Sequence, residues 1–161
     1  IKNLFKLKGR TADKPISILI KDKNMLFQIA DEISPKAELL MNRFWPGPLT
    51  IIFKAKNIIP SSLTGGTGKI GVRISSNPVA QKLLLVIGSP ITTTSANPSG
   101  KKSPVTANEV NDYFGNKIDL ILDGGIISGK LGSTIVDMTE DKPLVIREGD
   151  IPIKAVFDII K

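Results

Sequence analysis

Basic and hydroxyl side chains collect in three stretches that read as loops. Lys8, Arg10 and Lys14 lie in the first, Thr92 to Ser95 with Ser99 and Ser103 in the second, and Ser133 beside a glycine-rich turn in the third. Ammonium and guanidinium groups supply charge while hydroxyls and backbone N–H groups supply directed donors, so this set suits phosphate or carboxylate oxygens. Taken singly, a Lys-Gly-Arg turn also fits a solvated connection and a threonine run also fits strand propensity. The chain contains no histidine and no cysteine. Those zeros remove the imidazole base, the Ser-His-Asp triad, the thiolate nucleophile, the zinc ribbon and any disulfide framework. Chemistry is left to lysine, arginine, hydroxyls, carboxylates, amides and Mg²⁺. With 22 Lys plus Arg against 15 Asp plus Glu, the formal net charge of +7 favours a polyanionic partner such as RNA or a nucleotide. Neither Gly65-Gly66-Thr67-Gly68-Lys69 nor the glycines at 124, 125, 129 and 132 match a P-loop or a dinucleotide fingerprint.

Two arginines stand where core residues would be expected. Arg73 sits in the apolar run Gly71-Val72-Arg73-Ile74, and its guanidinium needs either an Asp or Glu at the strand end or an anionic ligand. Arg147, in Val145-Ile146-Arg147-Glu148-Gly149, carries the same two readings. Trp45, between Phe44 and Pro46, reads as a packing anchor rather than a base-stacking platform.

The elements that must position these residues follow from period and punctuation. A helix end over residues 1–7 precedes a buried strand over 16–20, and two short helices follow at 23–31 and 36–44, the second with Ser34 as cap and Pro35 at its first position. Strands are predicted at 49–55 and 70–74, then a helix from Asn77-Pro78 to Gly88, then a strand over 91–94. Thr106 and Glu109 form a capping box for a helix ending near Gly115. Strands are expected at 120–123, 134–138 and 144–147, and a closing helix with Asp150 as cap and a core stripe of Ile153, Val156, Phe157 and Ile160. The expected architecture is one α/β domain with a twisted mixed sheet flanked by helices. No run reaches the 18 or so apolar residues of a membrane span.

Several blocks then act together: "KLKGR" with "KPIS", "WPGPLT", "GVRIS", "TTTSANPSGKKSPVTA", "LDGG", and "GSTIVD" followed by "IREG". In this order and spacing, over nearly the whole chain, they resemble the YrdC-like threonylcarbamoyl-AMP synthases. The resemblance implies a YrdC-like/RibB-like fold over residues 1–161 and a cytoplasmic enzyme. Its substrates would be L-threonine, bicarbonate and ATP, its cofactor Mg²⁺, and its products threonylcarbamoyl-adenylate and pyrophosphate. The adenylate would feed N6-threonylcarbamoyladenosine at position 37 of tRNA through a downstream transferase complex, with tRNA bound weakly or indirectly.

The same resemblance carries roles to matching positions. Lys8 and Arg10 match a K-x-R element, and Ser95 and Asn97 an S-x-N element, as the catalytic set. Arg10, Lys14, Thr93, Ser95, Ser103 and Arg147 match positions resembling ATP contacts, while Arg73 and Ser133 match positions facing the threonine moiety. Lys8 and Arg10 would neutralise phosphate and carbamate oxygens. Leu19 stands where many members carry His. The family's P-T-D-T-x-Y-G-L-type segment is absent from this sequence, so the domain is expected to be incomplete at its N-terminus and, taken alone, nearly inactive. The rival readings are a non-catalytic module for double-stranded RNA or tRNA, and carbamoyl-adenylate formation as in hydrogenase-maturation proteins, whose zinc-binding cysteines this chain lacks.

Overall fold

The computed structural model describes residues 1–11, 13–127 and 131–161. Its elements run α1 (Lys2–Lys8), β1 (Ser17–Leu19), α2 (Lys23–Ile29), α3 (Pro35–Phe44), β2 (Leu49–Lys54), α4 (Ser61–Thr64), β3 (Lys69–Arg73) and α5 (Pro78–Ile87). They continue through β4 (Ile91–Thr93), α6 (Ala107–Phe114), β5 (Thr134–Asp137), β6 (Leu144–Arg147) and α7 (Ile153–Ile159).

Local chemistry explains where most helices start. The Asp22 carboxylate accepts from Met25 N, Ser34 Oγ from Ala37 N, and Asn77 Oδ1 from both Val79 N and Ala80 N. Each satisfies backbone donors that the first turn leaves without a partner inside the helix. Thr106 Oγ1 accepts from Glu109 N while the Glu109 carboxylate accepts from Thr106 N, completing the expected capping box. The short helix α4 has no side-chain cap and ends at Gly65.

The described strands form one sheet in the order β4-β1-β3-β2-β5-β6. The β1–β3 and β2–β5 pairs are parallel and the β1–β4, β2–β3 and β5–β6 pairs antiparallel, as a mixed sheet requires. Alternation along the strands separates two faces. Ile18, Leu49, Ile51, Phe53, Ile70, Val72 and Val136 are buried on one of them, in a cluster that includes Leu26 and Ile29 of α2, Leu40 and Met41 of α3, and Val156 of α7. Trp45 is part of that core, its indole N–H donating to Leu49 O at 2.7 Å, which bears out its reading as an anchor.

Two expectations are corrected. Residues 120–123 form no strand: neither sheet edge, β4 nor β6, takes them up, and Leu120 and Leu122 are exposed. An apolar run becomes a strand only where a neighbouring backbone offers a ladder. The cap of α7 is Pro152 rather than Asp150. The Asp150 carboxylate accepts from Leu131 N at 3.0 Å, and Glu148 supplies the acceptor for Ile153 N at 2.8 Å. Of the expected stripe, Val156 and Ile160 are buried while Ile153 and Phe157 stay largely exposed.

Candidate active site

The second face of the sheet carries the polar residues. Register aligns Thr93 with Ser17, and Ser17 with Gly71 through the β1–β3 ladder, in one row across the strands. The next row on the same face runs from Ile91 and Leu19 to Arg73, and the β2 and β5 ladders continue it through Thr50 to Ile135 and Arg147. Gly71 sits in the middle of this face. A Cβ there would stand 3.0 Å from Ser17 Oγ and 3.2 Å from Thr50 Cγ2, so glycine lets the three strands present an uncluttered floor. Glycine inside a strand is the usual mark of a close approach by another group.

At one end of the floor Arg73 is held from the side. Its Nε donates to Gly47 O at 2.8 Å, while Gly47 N donates to Ile74 O at 2.9 Å, so both polar atoms of one loop residue bind the end of β3. No Asp or Glu pairs with Arg73 or Arg147 within ion-pair distance among the described residues. The strand-end ion pair is therefore not the solution adopted. Burial pulls the Arg73 guanidinium below its ordinary range, with Asp150 acting the other way. A desolvated cation with free N–H groups is suited to a carboxylate.

Ser133 is joined to this row through Thr50, which the β2–β3 register sets opposite Arg73. Its hydroxyl accepts from Thr50 Oγ1 at 2.9 Å, and Arg147 donates to its backbone carbonyl at 2.6 Å. The segment is stapled to the following turn through Thr134, whose Oγ1 donates to Ile151 O at 2.6 Å and accepts from Gly149 N at 2.9 Å and Ile151 N at 3.1 Å. Gly149 is required here. A Cβ would fall 2.3 Å from Gly132 O and 2.6 Å from Thr134 N, both fixed backbone.

A second cluster lies beyond the C-terminal end of β4. The left-handed Gly9 (φ 58) ends α1 with Gly9 N and Arg10 N donating back to Lys6 O and Phe5 O, which sets the direction of Lys8 and Arg10. Lys8 is 5% exposed, and its ammonium donates to the backbone carbonyls of Ser95 and of Asn97, the latter at 2.6 Å. Ser99 N returns a hydrogen bond to Lys8 O at 2.8 Å. Lys8 thus ties the 95–99 turn to α1 and keeps the third of its N–H donors for an anion. Its pKa is lowered, first by burial and then by the neighbouring Arg10 charge. Arg10 Nη2 donates to Pro15 O at 2.8 Å, and Asn97 Nδ2 to Lys101 O at 2.5 Å. Arg10 Nε and Asn97 Oδ1 are buried without a partner among the described residues. Buried polar atoms are nearly always satisfied, so two orphans in one cluster mark a place for further polar atoms, of water or of a ligand.

Lys8, Arg10, Ser95 and Asn97 are brought together; Arg73, Ser133 and Arg147 form a separate group; and Thr93 lies on the floor by register. Ser95, Ser103 and Lys14 are exposed, and neither Lys14 nor Ser103 makes a side-chain hydrogen bond among the described residues. Leu19 is on the same face as Arg73 and directly opposite it. Sequence reasoning missed Thr50 and Ser17. The signal was a hydroxyl in each strand on the face where the alternating partners are not buried.

The model of the Sua5/YciO/YrdC family, described as telomere recombination, matches residues 1–149. The chain belongs to that family. It is 39% identical over 160 residues to a threonylcarbamoyl-AMP synthase of Pyrococcus abyssi, covering 99% of this chain and 47% of that protein. It is 39% identical over 154 residues to a putative threonylcarbamoyl-AMP synthase of Methanocaldococcus jannaschii, covering 96% and 72%. The crystal structure of P. abyssi Sua5 complexed with L-threonine superposes with a TM-score of 0.95 at 40% identity, over 99% of this chain and 47% of that one. The Sua5/YciO/YrdC chain described here therefore spans about half the length of its Pyrococcus relative.

Proposed function

We propose that this chain carries the threonylcarbamoyl-AMP synthase activity of its family. L-Threonine's amine forms an N–C bond to bicarbonate carbon with loss of water, giving a carbamate. A carbamate oxygen then attacks the α-phosphorus of ATP, the bond to the bridging oxygen breaks, and pyrophosphate leaves. The enzyme's task is to bring two anions together and to stabilise charge at phosphorus, which positioned cations and hydroxyls can do without histidine or cysteine.

The observation that carries this reading is the pairing, beside one sheet face, of a desolvated arginine that has no acidic partner among the described residues and a basic cluster with two orphaned polar atoms. Arg73 and Ser133 receive the amino acid, with the guanidinium on its carboxylate. Arg10, Lys14, Thr93, Ser95, Ser103 and Arg147 receive ATP. Lys8 holds Ser95 and Asn97 in place for it. The bound amino acid in the Pyrococcus Sua5 complex supports threonine as the substrate. Mg²⁺ would enter with the triphosphate and neutralise its charge. Asn97 Oδ1 is the buried, unpartnered oxygen suited to it, and no group of three Asp or Glu side chains among the described residues offers an all-protein site. The product serves N6-threonylcarbamoylation of tRNA adenosine in the cytoplasm through a separate transferase, tRNA itself being held weakly or indirectly. No described helix is long and apolar enough to cross a membrane.

The test, on full-length protein, is pyrophosphate release from ATP with threonine and bicarbonate supplied together and singly. Release is expected only with both, and threonine-independent release would overturn the proposal. In the same assay Arg73→Lys should raise the threonine KM more than the ATP KM, because a point charge cannot reproduce a fork on a carboxylate. Equal changes in the two constants would return Arg73 to a structural role.

A further inference from the structure

Thr50 is 3% exposed, yet it lies on the open face of the sheet, between Arg73 on β3 and Ile135 on β5. Its Oγ1 makes one hydrogen bond among the described residues, donating to Ser133 Oγ at 2.9 Å. Its Cγ2 points to the space above Gly71, 3.2 Å from where a Cβ would be. A β-branched side chain has few χ1 choices, and with its methyl against the Gly71 floor the Thr50 hydroxyl is left facing Ser133.

The consequence falls on Ser133. A serine hydroxyl has one proton to give and two lone pairs to receive with. Thr50 faces one, and Arg147 Nη2 lies 3.4 Å from the same oxygen while donating to the serine's own carbonyl at 2.6 Å. Thr50 is buried and Ser133 Oγ is its one partner among the described residues, so both hydroxyls are best satisfied with Thr50 giving its proton to Ser133, whose own proton is then left for an acceptor that the protein does not supply. Ser133 is half-buried and neighbours the guanidinium row, where an anion is the favoured occupant.

We infer that Thr50 is a positioning residue that fixes Ser133 as a hydrogen-bond donor to an anionic oxygen of the amino-acid substrate, its carboxylate or the carbamate formed from its amine. This rests on the proposed synthase activity and adds to it a residue that never touches the substrate. Valine, isosteric with threonine, removes the donor while keeping the shape, and frees a Ser133 lone pair so that the hydroxyl can turn away.

The experiment measures threonine and ATP KM for the wild-type protein, Thr50→Val, Thr50→Ser, Ser133→Ala and the Thr50→Val/Ser133→Ala double variant. Thr50→Val should raise the threonine KM about tenfold, the scale of one hydrogen bond to a charged group, with the ATP KM within about twofold of wild type. Thr50→Ser should restore the threonine KM. In the Ser133→Ala background Thr50→Val should add nothing, since its effect passes through that hydroxyl. An unshifted threonine KM, equal rises in both constants, or an additive double variant would overturn the inference while leaving the proposed activity intact. If Thr50→Val fails to fold, Thr50→Ser and Ser133→Ala still decide it: Ser133→Ala must raise the threonine KM selectively while Thr50→Ser does not. Wild-type protein without threonine-dependent release would overturn the activity, and the inference with it.

Discussion

Lys8→Ala should lower threonine-dependent pyrophosphate release about a hundredfold or more, the scale of losing one positioned group in a charge-stabilising site. The structure gives this loss a particular route. The buried ammonium is hydrogen-bonded to the carbonyls of Ser95 and Asn97, so truncation leaves two acceptors facing a void and releases the turn that carries Ser95 and Asn97. Each unsatisfied buried acceptor costs about 1–3 kcal/mol, enough to move the turn. Lys8→Met, which keeps the packing and removes the charge, should be nearly as poor. A second readout follows from the lowered pKa, set by burial and by Arg10. Wild-type activity should begin to fall on the alkaline side at a pH below the ordinary lysine value of 10.5. Between the folded and unfolded pKa values the unfolded chain binds more protons, so this group makes folding more favourable as pH rises while activity declines. Stability and activity moving together in the wild type, or a near-normal rate in Lys8→Ala, would leave Lys8 a purely structural tie.

Gly149→Ala should be the most damaging single methyl in the group around Ser133 and Arg147. Its Cβ would lie 2.3 Å from Gly132 O, 2.6 Å from the Ser133 carbonyl carbon and 2.6 Å from Thr134 N, so backbone must move. Thr134 Oγ1 joins that backbone to the 149–151 turn by three hydrogen bonds, and Asp150 N adds a fourth to Gly132 O at 2.8 Å. Overpacking of this kind costs about 3 kcal/mol or more, which for a chain of this size lowers Tm by about 6–12 °C. Because Ser133 and Arg147 flank the displaced segment, the threonine KM should rise as well. Thermal melts and the pyrophosphate assay check both, and an unchanged Tm would show that the two segments can separate without cost.

What was legible in the sequence was what local chemistry decides. Asn77-Pro78 and Gly88 bracket α5, Ser34-Pro35 opens α3, and Thr106 with Glu109 caps α6, because each cap is settled within four residues of itself. The block pattern likewise pointed to the Sua5/YciO/YrdC family, which the family match over residues 1–149 bears out. The misses are non-local. Residues 120–123 have strand composition but no backbone beside them to pair with. Asp150 looks like a cap by its place before α7, yet its carboxylate serves Leu131 N, 19 positions away. Thr50 lies in the apolar run Leu49 to Phe53, and only the β2–β5 register reveals Ser133 as its partner. Equally out of reach of spacing is the tie from Lys8 to the carbonyls of Ser95 and Asn97, 87 and 89 residues away, which stands beside its expected role toward phosphate rather than against it.

Gly47, with its amide on Ile74 and its carbonyl on Arg73 Nε, determines more than the shape of a loop. A free arginine side chain gives up about 2 kcal/mol of rotamer entropy when it is pinned by a ligand. Here the guanidinium is already pinned by the protein's own backbone, so that loss is incurred once, during folding, and is not charged against each binding event. Recognition of a small carboxylate with few atoms to contribute contacts gains most from such preorganisation. On the proposed role of Arg73, the loop around Gly47 acts on affinity without touching the ligand.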